Sequence, residues 1–437
     1  MKQRLYQFEL PYHPDSSLLF AHLLDLPWPV FLDSNQPRAQ QGRYDILSAA
    51  PTRTFITPLQ GDPIEILQAA MPVVELESDF PFIGGAIGYF SYDLARSFES
   101  IPQQAKKNIE IPDMMVGIYD WAIIVDHQQQ KTTLVSCHQF PETADRIATL
   151  LPRLSQALAT QTEFELTSDW MSNMTYDAYA DKFAKIQRYI MNGDCYQVNL
   201  AQTFSAAFQG STWAAYQILR AANPVPFGAY LHYPNLDILS LSPERFLQVK
   251  NNQVTTKPIK GTRRRSTSEV LDQALAAELL TSEKDRAENV MIVDLLRNDL
   301  GRICATGSVQ VPVLCALESF PSVHHLVSTV TGTLERSKDV YALLRACFPG
   351  GSITGAPKIR AMEIIDECEP WARGIYCGSI GYIDYRGHMD TNIAIRTMTA
   401  TDGKLYCSAG GALVADSACE SEYQETYDKV NVLLKAL

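Results

Sequence analysis

Across residues 1–165 the apolar positions fall in short runs cut by proline and glycine, as in Trp28-Pro29-Val30-Phe31-Leu32 and Ala122-Ile123-Ile124-Val125. Runs of that length bounded by turn residues predict β-strands. From residue 144 to residue 159 the spacing becomes helical, and the polar stretch 160–172 reads as a joint between two regions. The second region, 173–437, opens on a helix. Thr175 is a suitable N-cap, Tyr179, Phe183, Ile186 and Ile190 recur on one face, and Gly193 ends it. The two regions are expected to pack as one globular unit.

Two later helices carry acidic residues in a pattern of their own. Ser282-x-x-Asp285 reads as a capping box, and Glu288 follows on the face of Ile292 and Leu295. Near the end of the chain, Asp416 or Ser417 can cap a helix with Glu422, Glu425 and Lys429 on one stripe and Tyr423, Tyr427, Val430 and Leu434 on another. Acids in a first turn complement the helix dipole; carboxylates from two helices also form a hard-oxygen set of the kind Mg²⁺ takes. The pattern alone leaves both readings open.

The spacing G-x-x-G-Y-x-x-Y occurs twice, from Gly85 to Tyr92 and from Gly378 to Tyr385. Duplication and convergence on strand chemistry both explain it, and either way the glycines predict strands closely approached by other backbone. Strand-period and helix-period segments mix without regular β-α-β alternation, which predicts an α+β class.

Composition narrows the function. A net charge of -12, with 20% charged and 46% hydrophobic residues, describes a globular protein and argues against nucleic-acid binding. Residues 263–265 are three consecutive arginines, which on so acidic a chain read as a solvated turn or a substrate clamp. No apolar run approaches the ~18 residues of a membrane span, and the N-terminus has no signal-peptide pattern. The nine scattered cysteines, with no C-x-x-C pair, read as reduced core thiols of a cytoplasmic protein.

The candidate chemistry centres on Pro258-Ile259-Lys260-Gly261-Thr262, an amine in a tight, apolar-flanked turn. At its ordinary pKa of ~10.4 a lysine is about one part in a thousand neutral near pH ~7.5, so nucleophilic use requires burial or a neighbouring cation. An exposed lysine in a strand-to-turn segment is the plainer alternative.

Around it stand Ser242-Pro243-Glu244-Arg245-Phe246, Asp285-Arg286-Ala287-Glu288-Asn289 and Arg297-Asn298-Asp299-Leu300-Gly301-Arg302. Further along come the block from Pro349 to Lys358, the block from Met389 to Thr397, and Glu422-Tyr423-Gln424-Glu425-Thr426. In this order, from about Thr175 to the C-terminus, they resemble the chorismate-utilising enzymes, the family of the anthranilate, isochorismate, salicylate and aminodeoxychorismate synthases. The resemblance implies a large antiparallel β-sandwich core with flanking helices. It implies Glu288, Glu422 and Glu425 around Mg²⁺, Glu244 as general acid, and an active-site His325 that hydrogen-bonds the substrate or polarises the leaving hydroxyl. Arg396, Tyr376, Ser352, Gly410, Gly411, Gly261 and Thr262 correspond to substrate-binding positions, although Ala412 stands where many relatives have glycine.

The loop 350–355, feeding a helix that starts at Pro357, offers backbone N–H groups for an anion beside Ser352. Lysine at 260 resembles the branch that aminates C4 of chorismate through a covalent adduct at C2; anthranilate synthases usually carry alanine there. Tyr196-Gln197-Val198-Asn199-Leu200 resembles the same branch. Anthranilate synthase component I is the nearest rival reading, and a non-catalytic chorismate- or tryptophan-sensing subunit is the rival from another class.

None of the cysteines lies in a G-x-C-x-G-x-Q setting, so ammonia is expected from a separate glutamine amidotransferase subunit. Leu32-Asp33-Ser34, followed by Arg43-Tyr44-Asp45, resembles the segment that forms a tryptophan pocket in feedback-controlled members. Leu32, Asp33, Ser34 and Tyr44 are therefore a candidate tryptophan site. Asp33 replaces the glutamate usual in inhibited members, which points away from feedback control.

Overall fold

The computed structural model describes residues 4–36, 42–155, 163–320, 323–335 and 339–437. Every ladder in its two large sheets is antiparallel. The thirteen-stranded sheet runs through Tyr6–Leu10, Lys131–Ser136, Trp121–Asp126, Tyr44–Ser48, Val30–Asp33, Phe227–Tyr233, Leu236–Ser242, Thr397–Thr401, Lys404–Leu413, Gln197–Gly210 and Met171–Ser172. The ten-stranded sheet runs through Ile259–Arg264, Val323–Thr333, Gln253–Thr256, Arg245–Lys250, Met389–Asn392, Ser379–Asp384, Gly85–Phe90, Met114–Tyr119 and Arg53–Ile56.

Each sheet crosses the boundary that the sequence suggested. Phe31 pairs with Tyr230 in one, and Gly88 pairs with Gly381 in the other. The two copies of G-x-x-G-Y-x-x-Y are therefore hydrogen-bonded neighbours. A Cβ on Gly88 would fall 2.1 Å from the Met115 carbonyl oxygen, so the close approach expected of these glycines is present.

The sheets face each other across a shared apolar layer that includes Val30, Ile46, Ile124 and Ala229 from one and Ile87, Met115 and Ile380 from the other. Helices cover the outer faces: Thr143–Arg153, Thr212–Ala222 and Cys419–Ala436 pack on the first sheet, and Pro63–Ala70, Glu283–Gly301 and Val340–Cys347 on the second. Apolar burial of this extent, at about 25 cal/mol per Å², supplies the main driving force for the layered arrangement.

Local predictions met three outcomes. The helix Tyr176–Met191 starts as read, with the Thr175 hydroxyl accepting from the Ala178 N–H. The helix placed at 144–159 stops at Arg153, one residue after Pro152, and residues 156–159 lie outside those described. The joint at 160–172 is no free linker: Phe164–Leu166 and Met171–Ser172 both pair with Gln197–Gly210, while 160–162 lie outside the described residues.

One buried ion pair ties the first strands to a helix of the second region. Arg220 donates from Nε to Asp33 Oδ2 at 2.8 Å and from Nη2 to Oδ1 at 3.2 Å, with both residues 2% exposed. Removing one partner strands a buried charge, which costs about 3–5 kcal/mol. Arg220→Ala is therefore expected to lose that much stability in urea denaturation, and a loss below about 1 kcal/mol would contradict this account.

Candidate active site

Lys260 lies on Ile259–Arg264, the strand paired with Val323–Thr333. Lys260 faces Leu326 and Thr262 faces His325, so the register shifts by one residue between them. Gly261 takes up the shift with φ +75°, where a Cβ would sit 2.8 Å from Leu279 Cδ1. A bulge of this kind re-aims the side chain beside it. Here it leaves the Lys260 Nζ donating to the Ser352 carbonyl at 3.2 Å, turned inward. Burial lowers the Lys260 pKa, and the Lys429 ammonium lowers it further; Glu288, Glu244 and Glu425 pull upward without restoring it.

Ser352, in the short turn Gly351–Ile353, also donates from Oγ to Glu244 Oε1 at 2.9 Å. One residue thus touches both the amine and the acid. Glu244 is 6% exposed. Burial pushes its pKa up, against Lys260 and the hydrogen bonds from Ser352 and the Ile259 backbone. The Ser352 hydroxyl donates to Glu244 and its carbonyl accepts from Lys260.

His325 bonds through Nδ1 to Thr262 Oγ1 at 2.9 Å. Burial, aided by the nearby Arg396 cation, holds its pKa down at about 4, so the ring is neutral near pH ~7. Arg396 adopts φ +50°, a left-handed backbone that is unusual for a non-glycine residue and that gathers at functional sites. Burial lowers its pKa, and among the described residues its guanidinium has no hydrogen-bond or ion-pair partner. A desolvated guanidinium without a protein acceptor is a site for an incoming carboxylate. Tyr376 is held under the Arg373 guanidinium, 5.7 Å from its ring centroid.

The three glutamates reach the same region from two helices. A Cβ on Gly411 would lie 3.0 Å from Glu422 Oε2 and 3.6 Å from Glu425 Oε1, which puts both carboxylates over that glycine. Glu288, from the other helix, is raised by burial and by Asp285 and Glu425, against Lys260 and Lys284. Glu422 is raised by burial and by Glu425, opposing the Ser417 hydrogen bond. Glu425 is the exception: burial raises it, but Lys429 at 2.7 Å and the charges of Lys260 and Lys284 leave it below its ordinary value.

Among the described residues no three His, Cys, Asp or Glu groups enclose a cation unaided. Hard carboxylate oxygens grouped over Gly411 and Lys260 nevertheless fit Mg²⁺, which keeps water and substrate oxygens in its shell.

Other expectations are corrected or filled in. The last helix, Cys419–Ala436, has Ala418 at its N-cap and no side-chain cap, because the Ser417 hydroxyl is spent on Glu422. The helix expected at Pro357 spans Lys358–Cys368 with Pro357 as N-cap. The capping box is half formed: the Ser282 hydroxyl accepts from the Asp285 N–H, but the Asp285 carboxylate pairs with Arg263. Arg263 and Arg265 form ion pairs with Glu278 and Asp272 of the helix Glu269–Thr281.

Leu32, Asp33, Ser34 and Tyr44 line a cleft of about 560 Å³ between the sheets. There the Asp33 carboxylate is committed to Arg220 and Tyr216, and Ser34 to Asp45. Sequence reasoning gave no role to Lys429, whose ammonium also bonds the Gly410 carbonyl at 2.7 Å; its place four residues after Glu425 was the available signal.

An inward-turned lysine and a buried acid sharing one serine, a free guanidinium and three glutamates on a two-sheet frame define a class of protein. Residues 30–435 match the family model described as chorismate binding enzyme, and the chain belongs to that family. Within it, the chain is 50% identical to aminodeoxychorismate synthase component 1 of Salmonella typhimurium, over 98% of this chain and 97% of that protein. It is likewise 50% identical to the protein of that name from Escherichia coli, over 96% and 95%. Among solved structures, anthranilate synthase component I from Streptococcus pneumoniae superposes with a TM-score of 0.79 at 32% identity, covering 90% of this chain and 93% of that one.

The bulge carries a testable consequence. Gly261→Ala forces an alanine into the left-handed region against Leu279, and about 1–3 kcal/mol of stability is expected to be lost. Urea melts of the variant would show it, and an unchanged midpoint would refute the strain.

Proposed function

We propose that this chain converts chorismate and ammonia into 4-amino-4-deoxychorismate and water, with Lys260 as covalent nucleophile. The observation that carries the reading is the pair of contacts made by Ser352: the Lys260 amine at its carbonyl and the Glu244 carboxyl at its hydroxyl. The 50% identity to proteins named aminodeoxychorismate synthase component 1 supports the choice of product over anthranilate.

Arg396 binds a substrate carboxylate, with Tyr376 as a further hydroxyl donor. Neutral Lys260 attacks C2 of the ring, both ring double bonds move along, and the C4 hydroxyl leaves as water with the Glu244 proton. The adduct nitrogen passes a proton to the Glu244 carboxylate. Ammonia then attacks C4, the double bonds return, Lys260 departs from C2 with a proton from Glu244, and the new C4 ammonium returns a proton to the Glu244 carboxylate. His325, neutral and fixed by Thr262, hydrogen-bonds the substrate. Glu288, Glu422 and Glu425 would hold Mg²⁺, which when bound supplies Lewis acidity at the ring carboxylate.

Ammonia comes from a glutamine amidotransferase partner. Supporting this, eight of the nine cysteines are buried. Burial also holds thiols such as Cys377 and Cys407 up at about 12, where no thiolate forms near neutral pH.

Incubation with chorismate and Mg²⁺ without ammonia is expected to give a ring adduct on Lys260 by peptide mass spectrometry. Lys260→Ala should lose C4 amination. Ammonium should support turnover by the isolated chain and glutamine should not. Retained C4 amination in Lys260→Ala would sink the mechanism.

The pH profile tests the two ionisations. The active form pairs neutral Lys260, gained as pH rises through its lowered pKa, with protonated Glu244, lost as pH rises through its raised one. The result is a bell. In Glu244→Gln the residual rate of adduct formation should rise with pH and level off instead of falling.

The inter-sheet cleft supports a second reading, that tryptophan binds against Leu32, Ser34 and Tyr44 without feedback control. Calorimetry with tryptophan is expected to show binding while the chorismate turnover rate stays constant.

A further inference from the structure

Arg373 lies below the site, 8% exposed, and its planar fork reaches three separate parts of it. From Nη1 it donates to the Ile353 carbonyl at 2.9 Å, the residue directly after Ser352. From Nη2 it donates to the Asn199 carbonyl at 3.1 Å. From Nε and Nη2 it grips Glu369 at 2.9 and 2.7 Å. Glu369 in turn accepts from the Ala201 N–H at 2.9 Å.

Asn199, Leu200 and Ala201 pair with Ala412, Gly411 and Gly410, the strand beneath Glu422 and Glu425. The guanidinium also lies over the ring of Tyr376. Four of its five N–H donors are spent this way, and the same bidentate, stacked geometry is beyond a lysine.

We infer that Arg373, locked by Glu369, is a positioning residue that fixes the Ser352 turn against the floor strand and so sets the placement of Lys260 relative to Glu244. It acts through Ser352 and touches no reacting atom. Reacting groups displaced by about 1 Å lose on the order of 100-fold in rate. Buried charge networks are also common as plain scaffolding, so the test must separate positioning from scaffolding.

The inference rests on the site proposed above but not on its product. The experiment therefore follows chorismate consumption with ammonium and Mg²⁺, whichever aromatic precursor forms, in Arg373→Lys, Ser352→Ala and the double variant. Thermal melts are run beside the kinetics. Arg373→Lys is expected to fold cooperatively and to lose about 100-fold in kcat, with KM for chorismate changed less than about threefold. In the Ser352→Ala background the same substitution should cost several-fold less than in the wild type, because the hydroxyl bond to Glu244 is already cut while the carbonyl contact to Lys260 remains.

Equal losses in both backgrounds, or a loss confined to KM, would overturn the inference. If Arg373→Lys does not fold, Glu369→Gln carries the same test: a kcat loss that shrinks in the Ser352→Ala background supports the inference, and an additive one refutes it. Failure of the Lys260 adduct experiment would alter the product assignment and leave this cycle readable.

Discussion

The chemistry proposed for this chain depends on one amine held below its ordinary pKa. Lys260 is held there because burial outweighs the attraction of Glu288, Glu244 and Glu425. Burial likewise pushes the Glu244 pKa up. Burial disfavours the charged form of both groups, so a single environment prepares a base-like amine and an acid-like carboxyl side by side. Ser352 contacts both, the amine through its carbonyl and the carboxyl through its hydroxyl.

Charge is arranged locally against the global trend. The chain carries a net charge of -12, yet Lys260, Lys429 and Lys284 gather around Glu288 and Glu425, and Arg396 stands beside His325. Arg396 has no protein acceptor, whereas Lys429 and Lys284 are held by Glu425 and Glu422. An approaching carboxylate therefore meets one cation ready to pair and two already balanced by acids. Potentials in clefts follow such nearby groups more than the total charge.

The frame that creates this enclosure is interleaved from both halves of the chain. Gly88 and Gly381 meet in one sheet and Phe31 and Tyr230 in the other, so neither region can bury its strands without its counterpart. The Asp33–Arg220 pair reinforces the second seam, and the wide cleft lined by Leu32, Ser34 and Tyr44 opens between the same strands. Along that cleft also lie Pro243 and Ile259, the sequence neighbours of Glu244 and Lys260.

Short-range features were readable from the residues alone. Hydrophobic period gave the strands at Trp28–Leu32 and 122–125 and the helix capped by Thr175, since these depend on contacts within a few positions. The block motifs picked out Lys260, Glu244, Arg396 and the three glutamates, because each chemistry needs its own side chain. What residue order left open was decided by contacts between segments far apart in the chain. The hydroxyl of Ser352 met Glu244 only once the chain folded. Asp416 and Ser417 yielded the helix cap to Ala418 because the hydroxyl of Ser417 found Glu422. The supposed joint joined a sheet edge, and Arg373, four residues after Glu369, reached the distant Asn199 and Ile353 carbonyls only in the folded chain. Propensity and periodicity act over one or two turns, whereas burial, pKa and orientation belong to neighbours that only the packed chain supplies.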